Sequence, residues 1–141
     1  MNAFKQLMLS AALLGASFAA MADIVVVAHP SVKDASISKE DAAKVFLGKS
    51  NKLPSGTAVI AIDQEDDSAA RVAFHEKVTD KNSAQLTAYW SRLVFTGKGQ
   101  PPKTVMDDDE VKDLVANNPN IVGYIDKASV DATVKVLYTA K

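Results

Sequence analysis

Gln64, Ser68 and Arg71 carry donors of the kind that hold a small oxyanion, and they lie within two helical turns of one another. They belong to "DQEDDSAARVAF", Asp63 to Phe74, where an apolar run, "TAVIAI", gives way to a helix-like one. A Ser at a helix start offers a hydroxyl. The first backbone N–H groups of such a helix, here those of Ala69 and Ala70, have no intrahelical acceptor. Arg71, one turn in, adds a cation that can reach an anion or pair with Glu65 or Asp67. The loop also carries Glu65, Asp66 and Asp67, which repel an anion but suit the positive end of a helix dipole. Two readings stay open on the residues alone: an oxyanion site, and a helix start capped by Ser68.

Other residue types say less. His29 and Ser31 follow the first strand-like run, at the carboxyl end where α/β folds place ligands. His75 has a neighbouring Glu76 but no second His four residues on, so it forms no metal motif. "DDDE", Asp107 to Glu110, lacks the alternating spacing and glycine of a calcium loop and fits the first turn of a helix. There is no nucleophile elbow, zinc-protease motif or Walker loop, so nothing points to an enzyme, and no cofactor or metal is expected. With no cysteine, thiol catalysis, thiolate metal sites and disulfides are excluded.

Strands and helices alternate around these residues. "DIVVVAH" reads as a strand covered on both faces. Ser38 opens a helix with Asp41 in a capping box, Ala42, Val45 and Phe46 on one face, and Gly48 at its end. "TAVIAI" is a second strand, and Ser68 to Val78 a helix with Ala70, Phe74 and Val78 inward. Ser83 to Phe95 is a helix whose apolar side is Leu86, Trp90, Leu93 and Val94. "TGKGQPPK" is an irregular loop, with Lys98 and Lys103 as exposed cations. A helix over 107–116 and strands "IVGYI" and "TVKVLY" complete the chain. The order β-α-β-α-α-α-β-β predicts an α/β three-layer domain with a mixed, mostly parallel sheet.

The first 22 residues have one early cation, Lys5, an apolar run to Ala20 and the small-x-small end "AMA". This pattern predicts a secretory signal cleaved after Ala22, leaving one domain over 23–141 in an envelope compartment. Without those residues the formal charge is −2, which offers no basic excess for nucleic acid or an anionic membrane.

Several segments resemble the phosphate-type substrate-binding proteins of ABC transporters. They are "ISKEDAAKVFLGKSNKLPSGTAVIAIDQ", "SAARVAFHEKV", "YWSRLVFTGKGQPPK" and "NPNIVGYID". The order "FLGK", "GKGQPP", "IVGYI" is that of one of the family's two lobes, and small single-lobe members resemble the chain still more. The resemblance implies a periplasmic domain that binds phosphate or a similar oxyanion and delivers it to a membrane permease or a sensor. Its motif, Arg-x-x-Gly-Ser-Gly-Thr, falls on this chain with Gln64 for the Arg, Asp67 for the first Gly, Ser68 matching, and Ala69 and Ala70 for Gly and Thr. Ser68, Ala69, Ala70, Arg71 and Gln64 are thus the expected ligand residues, flanked by Ser31, and a homodimer would restore a two-sided cleft. The substitutions support an alternative: a lobe that has lost its ligand and binds a periplasmic sensor or membrane protein.

Overall fold

The computed structural model describes residues 23–141; the expected signal and its cleavage site lie outside them. Five strands form one sheet: β1 Ile24–Ala28, β2 Ile60–Gln64, β3 Lys103–Val105, β4 Ile121–Asp126 and β5 Lys135–Ala140, in the order β3-β2-β4-β1-β5. β2 runs parallel to β3 and β4, whereas β1 is antiparallel to both β4 and β5. The sheet is therefore mixed, with β1 alone reversed.

Burial on both faces explains the continuous apolar run of β1. Ile24, Val26 and Ala28 point to one side, under α1 (Lys39–Phe46) and α2 (Ala69–Phe74), where they meet Ala42, Phe46 and Phe74. Val25 and Val27 point to the other, under α4 (Asp108–Asn117), where they meet Val111 and Val115. Two helical layers enclosing a sheet are the three layers expected. Ser38 caps α1 with the reciprocal capping box, and Gly48 follows its end at φ 73°, with the Trp90 ring packed where a Cβ would point. α3 (Ser83–Phe95) rests on the rim of this core through Leu86 and Trp90 alone among its fully buried residues. Val94, expected on its apolar side, is 46% exposed. Leu93, one residue before it, packs against the Leu86 and Trp90 cluster.

Several boundaries differ from the sequence expectation, and β5, expected as "TVKVLY", lies two residues later at Lys135–Ala140. β2 starts at Ile60 and runs on through Asp63 and Gln64, where it pairs with Thr104 and Val105 of β3 and the two polar side chains are buried. The helix from Ser68 changes at His75 into a π turn, His75–Thr79, closed by Asp80 in the left-handed conformation. The proline-rich stretch ends in β3, a three-residue edge strand too short to show an alternating pattern.

Gly123, on β4, lies under α4. A Cβ built there would stand 2.7 Å from Val111 Cγ1 and 3.1 Å from Ile62 Cγ1. Overpacking a well-filled core costs about 1–3 kcal/mol. Gly123→Ala is expected to lower unfolding free energy in urea by that amount, and an unchanged midpoint would show that α4 can move off the sheet.

Candidate functional site

Asp63 is the penultimate residue of β2 and is 2% exposed. Its Oδ1 accepts from the Tyr124 hydroxyl and from Gln64 N–H, the latter at 2.9 Å. Its Oδ2 faces His75 Nε2 at 2.9 Å and Arg71 Nη1 at 3.8 Å. Burial on its own would push this carboxyl up. The hydrogen bond and charge of His75, the Tyr124 hydroxyl and the Arg71 charge outweigh burial and hold it below its ordinary value. The converse applies to Tyr124: burial and the Asp63 carboxylate push its phenol well above the usual range. Stacking fixes the Tyr124 ring, which lies 4.0 Å from the Phe74 ring at an interplanar angle of 2°.

His75 Nδ1 lies 2.9 Å from Thr79 Oγ1, which also donates to the His75 carbonyl. Hydroxyl, imidazole and carboxylate thus follow one another as in a nucleophilic triad. All three side chains are buried, at 6%, 2% and 2% exposure for Thr79, His75 and Asp63, so no substrate reaches the hydroxyl. Among the described residues, no group of three or more potential metal ligands is assembled.

The expected ligand residues separate into three groups. Gln64 is buried; its Nε2 donates to Asp108 Oδ1 at 2.9 Å and to the Tyr124 carbonyl at 3.0 Å, so both amide protons are engaged. Ser68 Oγ donates to Gln64 Oε1 at 2.7 Å and accepts from Arg71 N–H at 3.1 Å, the N-cap bond of α2. The backbone N–H groups of Ala69 and Ala70 remain, with no acceptor among the described residues. They begin the helix beside a shallow hollow of about 470 Å³ rimmed by Ser68, Asp67 and Asp107 to Asp109.

Arg71 turns the other way. Its Nη1 donates to the Gln64 carbonyl at 2.9 Å, and its Nη2 stands 3.4 Å from Asp66 Oδ1. Its guanidinium lines a second cleft, under α3, and not the hollow beside Ser68. Ser31 is not brought to this end at all. Because β1 is antiparallel to β4, the carboxyl end of β1 lies at the amino ends of β2 and β4. There Ser31 Oγ meets His29 Nδ1 at 2.8 Å, on the surface.

Sequence reasoning missed the Asp63–Tyr124–His75–Thr79 chain. The signals available were an Asp ending an apolar run and a His and Thr four residues apart on one helix face. Tyr124, sixty-one positions from Asp63, gave none.

No protein-family model matches the sequence, and no curated protein matches it. Solved structures do match in fold. An ABC-type phosphate transport receptor from Vibrio cholerae superposes with a TM-score of 0.64 at 17% identity over 83% of this chain and 46% of its own. PstS from Borrelia burgdorferi gives 0.61 at 17% identity over 82% of this chain and 47% of its own. A Clostridium perfringens protein assigned as a phosphate ABC transporter substrate-binding protein, solved with phosphate bound, gives 0.61 at 22% identity over 83% and 45%. The chain therefore has the α/β fold of part of these proteins and spans less than half the length of each.

Asp63 also sets a pH dependence. A carboxyl lowered on folding contributes stability that is present above its unfolded value, 3.8, and is lost as pH falls through the folded one. Tyr124→Phe removes a donor to a buried charge and is expected to cost about 1–3 kcal/mol at neutral pH in urea unfolding. The gap between the two proteins should narrow as pH is lowered below the unfolded value, and a gap independent of pH would mean that the hydroxyl serves packing only.

Proposed function

We propose that the protein is a solute-binding-type domain that takes phosphate, or a like small oxyanion, at the start of α2, and that it performs no reaction. The observation that carries this reading is the pair of acceptor-free N–H groups of Ala69 and Ala70, at the junction where the sequence resembles a phosphate-binding loop. The fold shared with phosphate-binding proteins supports it. Ser68 then serves as the cap that orients the amides, its own proton being held by Gln64. Two hydrogen bonds to a charged group, at about 1.5–3 kcal/mol each, sum to about 3–6 kcal/mol, which brackets the about 4 kcal/mol of a millimolar Kd. Asp67 and the Asp107–Asp109 turn lower the affinity. A useful affinity needs a second surface from a homodimer, an ABC permease or a periplasmic sensor, with the chain exported to the periplasm.

One observation favours a second reading. The side-chain donors of Gln64 and Ser68 are engaged inside the protein, and carboxylates rim the hollow. On that reading the lobe binds no solute and recognises a protein partner directly.

Thermal unfolding against phosphate, with sulfate and chloride at matched ionic strength, separates the two. Phosphate at 100 times a millimolar Kd should add about 2.7 kcal/mol of stability, selectively. Ala69→Pro deletes one donor at the first helical position, where Pro is tolerated, and is expected to abolish the gain while the fold persists. A flat response, or one equal for all anions or unchanged by Ala69→Pro, overturns the oxyanion reading.

A further inference from the structure

The cleft under α3 belongs to neither reading. It measures about 630 Å³, within the usual range for small-molecule sites of about 300–1,000 Å³. α3 supplies its back wall with Leu86 and Trp90 and its rim with Val94 and Phe95, the latter 92% exposed; Pro101 and Pro102 close the far side. Its floor is the guanidinium of Arg71, whose side chain is 15% exposed.

The donors on that floor are only partly used. Arg71 Nη1 is held by the Gln64 carbonyl, which fixes the plane of the group. Nε and Nη2 make no hydrogen bond among the described residues; the approach of Asp66 to Nη2 at 3.4 Å is an ion pair without hydrogen-bond geometry. Asp63, the other acid at the floor, has both oxygens engaged by buried donors and lies 3.8 Å from Arg71 Nη1, so it shares the Arg71 charge without occupying Nε or Nη2. Asp66 is 95% exposed, so its pairing with Arg71 is the weak, solvent-screened kind that a better-placed carboxylate replaces. A planar guanidinium with Nε and Nη2 free side by side matches a carboxylate in a two-point contact. Apolar walls above it match a hydrocarbon or aromatic body.

We infer that the cleft under α3 is a binding site for small carboxylic acids with an apolar body, seated with the carboxylate on Arg71 and the body between Trp90, Val94 and the Pro101–Pro102 wall. The inference does not rest on the oxyanion reading, because the two sites use different donors in different hollows.

Trp90 is the chain's single tryptophan and lines the cleft, so its emission reports occupancy. The probe is 3-phenylpropionate, titrated into the whole protein beside its neutral amide, 2-phenylethylamine and acetate. The acid should give a saturable change, and the amide should bind about tenfold or more weakly for want of the charged contact. Acetate, with no apolar body, should give none. Asp66→Asn removes the competing carboxylate at an exposed position and should tighten the acid several-fold. Val94→Glu, also on the surface, should weaken it. Arg71→Gln alone would be ambiguous, since that residue also braces Gln64, and these two surface variants replace it. No saturable signal with the acid, equal binding of the amide, or amine binding that Asp66→Asn abolishes would each overturn the inference.

Discussion

An ionised carboxylate buried near the carboxyl end of β2 is the constraint on which the functional end of this protein depends. Taking Asp63 out of water is costly unless every lone pair is met. The protein meets them with three hydrogen-bond partners, the next residue's amide, a tyrosine on β4 and a histidine on the π turn, and an arginine on α2 adds its charge at 3.8 Å. Each donor has been brought in by a different element. The carboxylate therefore ties β2, β4 and the α2 helix together at the point where the chain leaves the sheet.

That arrangement decides what the neighbouring loop can offer. Arg71 must reach back toward Asp63, so its guanidinium faces the cleft under α3 and not the start of its own helix. Gln64, one residue beyond Asp63, points to the opposite side of the strand, where Asp108 and the Tyr124 carbonyl take its amide. Asp108 in turn accepts from Asp126 N–H and from Ser129, so α4 is anchored to the same end of the sheet. A loop whose residue types suggest convergence on one ligand instead disperses its side chains among internal partners. The backbone N–H groups of Ala69 and Ala70 are left without an acceptor among the described residues.

Much of the fold was legible because local physics specified it. The capping box of Ser38 and Asp41 and the acidic first turn after Asp107 each fix a helix start through neighbours in sequence. The unbroken apolar run of β1 required cover on both faces, and both covers are present. The edges of elements were less legible where distant partners decide them. β2 extends through Asp63 and Gln64 by pairing with Thr104 and Val105 of β3, while Tyr124 and Asp108 receive their side chains, and β3 in turn pairs on the parallel edge of β2.

By itself, then, the sequence determined the α/β class, the helix starts, the apolar core and the presence of Ser68 at a helix N-terminus, since each follows from residues within a turn or a strand of one another. It also set the list of polar groups that a site could use. The direction of β1, which carries Ser31 to the far end of the sheet, was decided by the tertiary structure. So was the division of Ser68 and Arg71 between two hollows, and the recruitment of His75, a lone histidine in sequence, into the partner set of Asp63. The last two share a physical reason. Where a polar side chain points is settled by the partner that compensates its burial, and that partner is supplied by another segment of the chain.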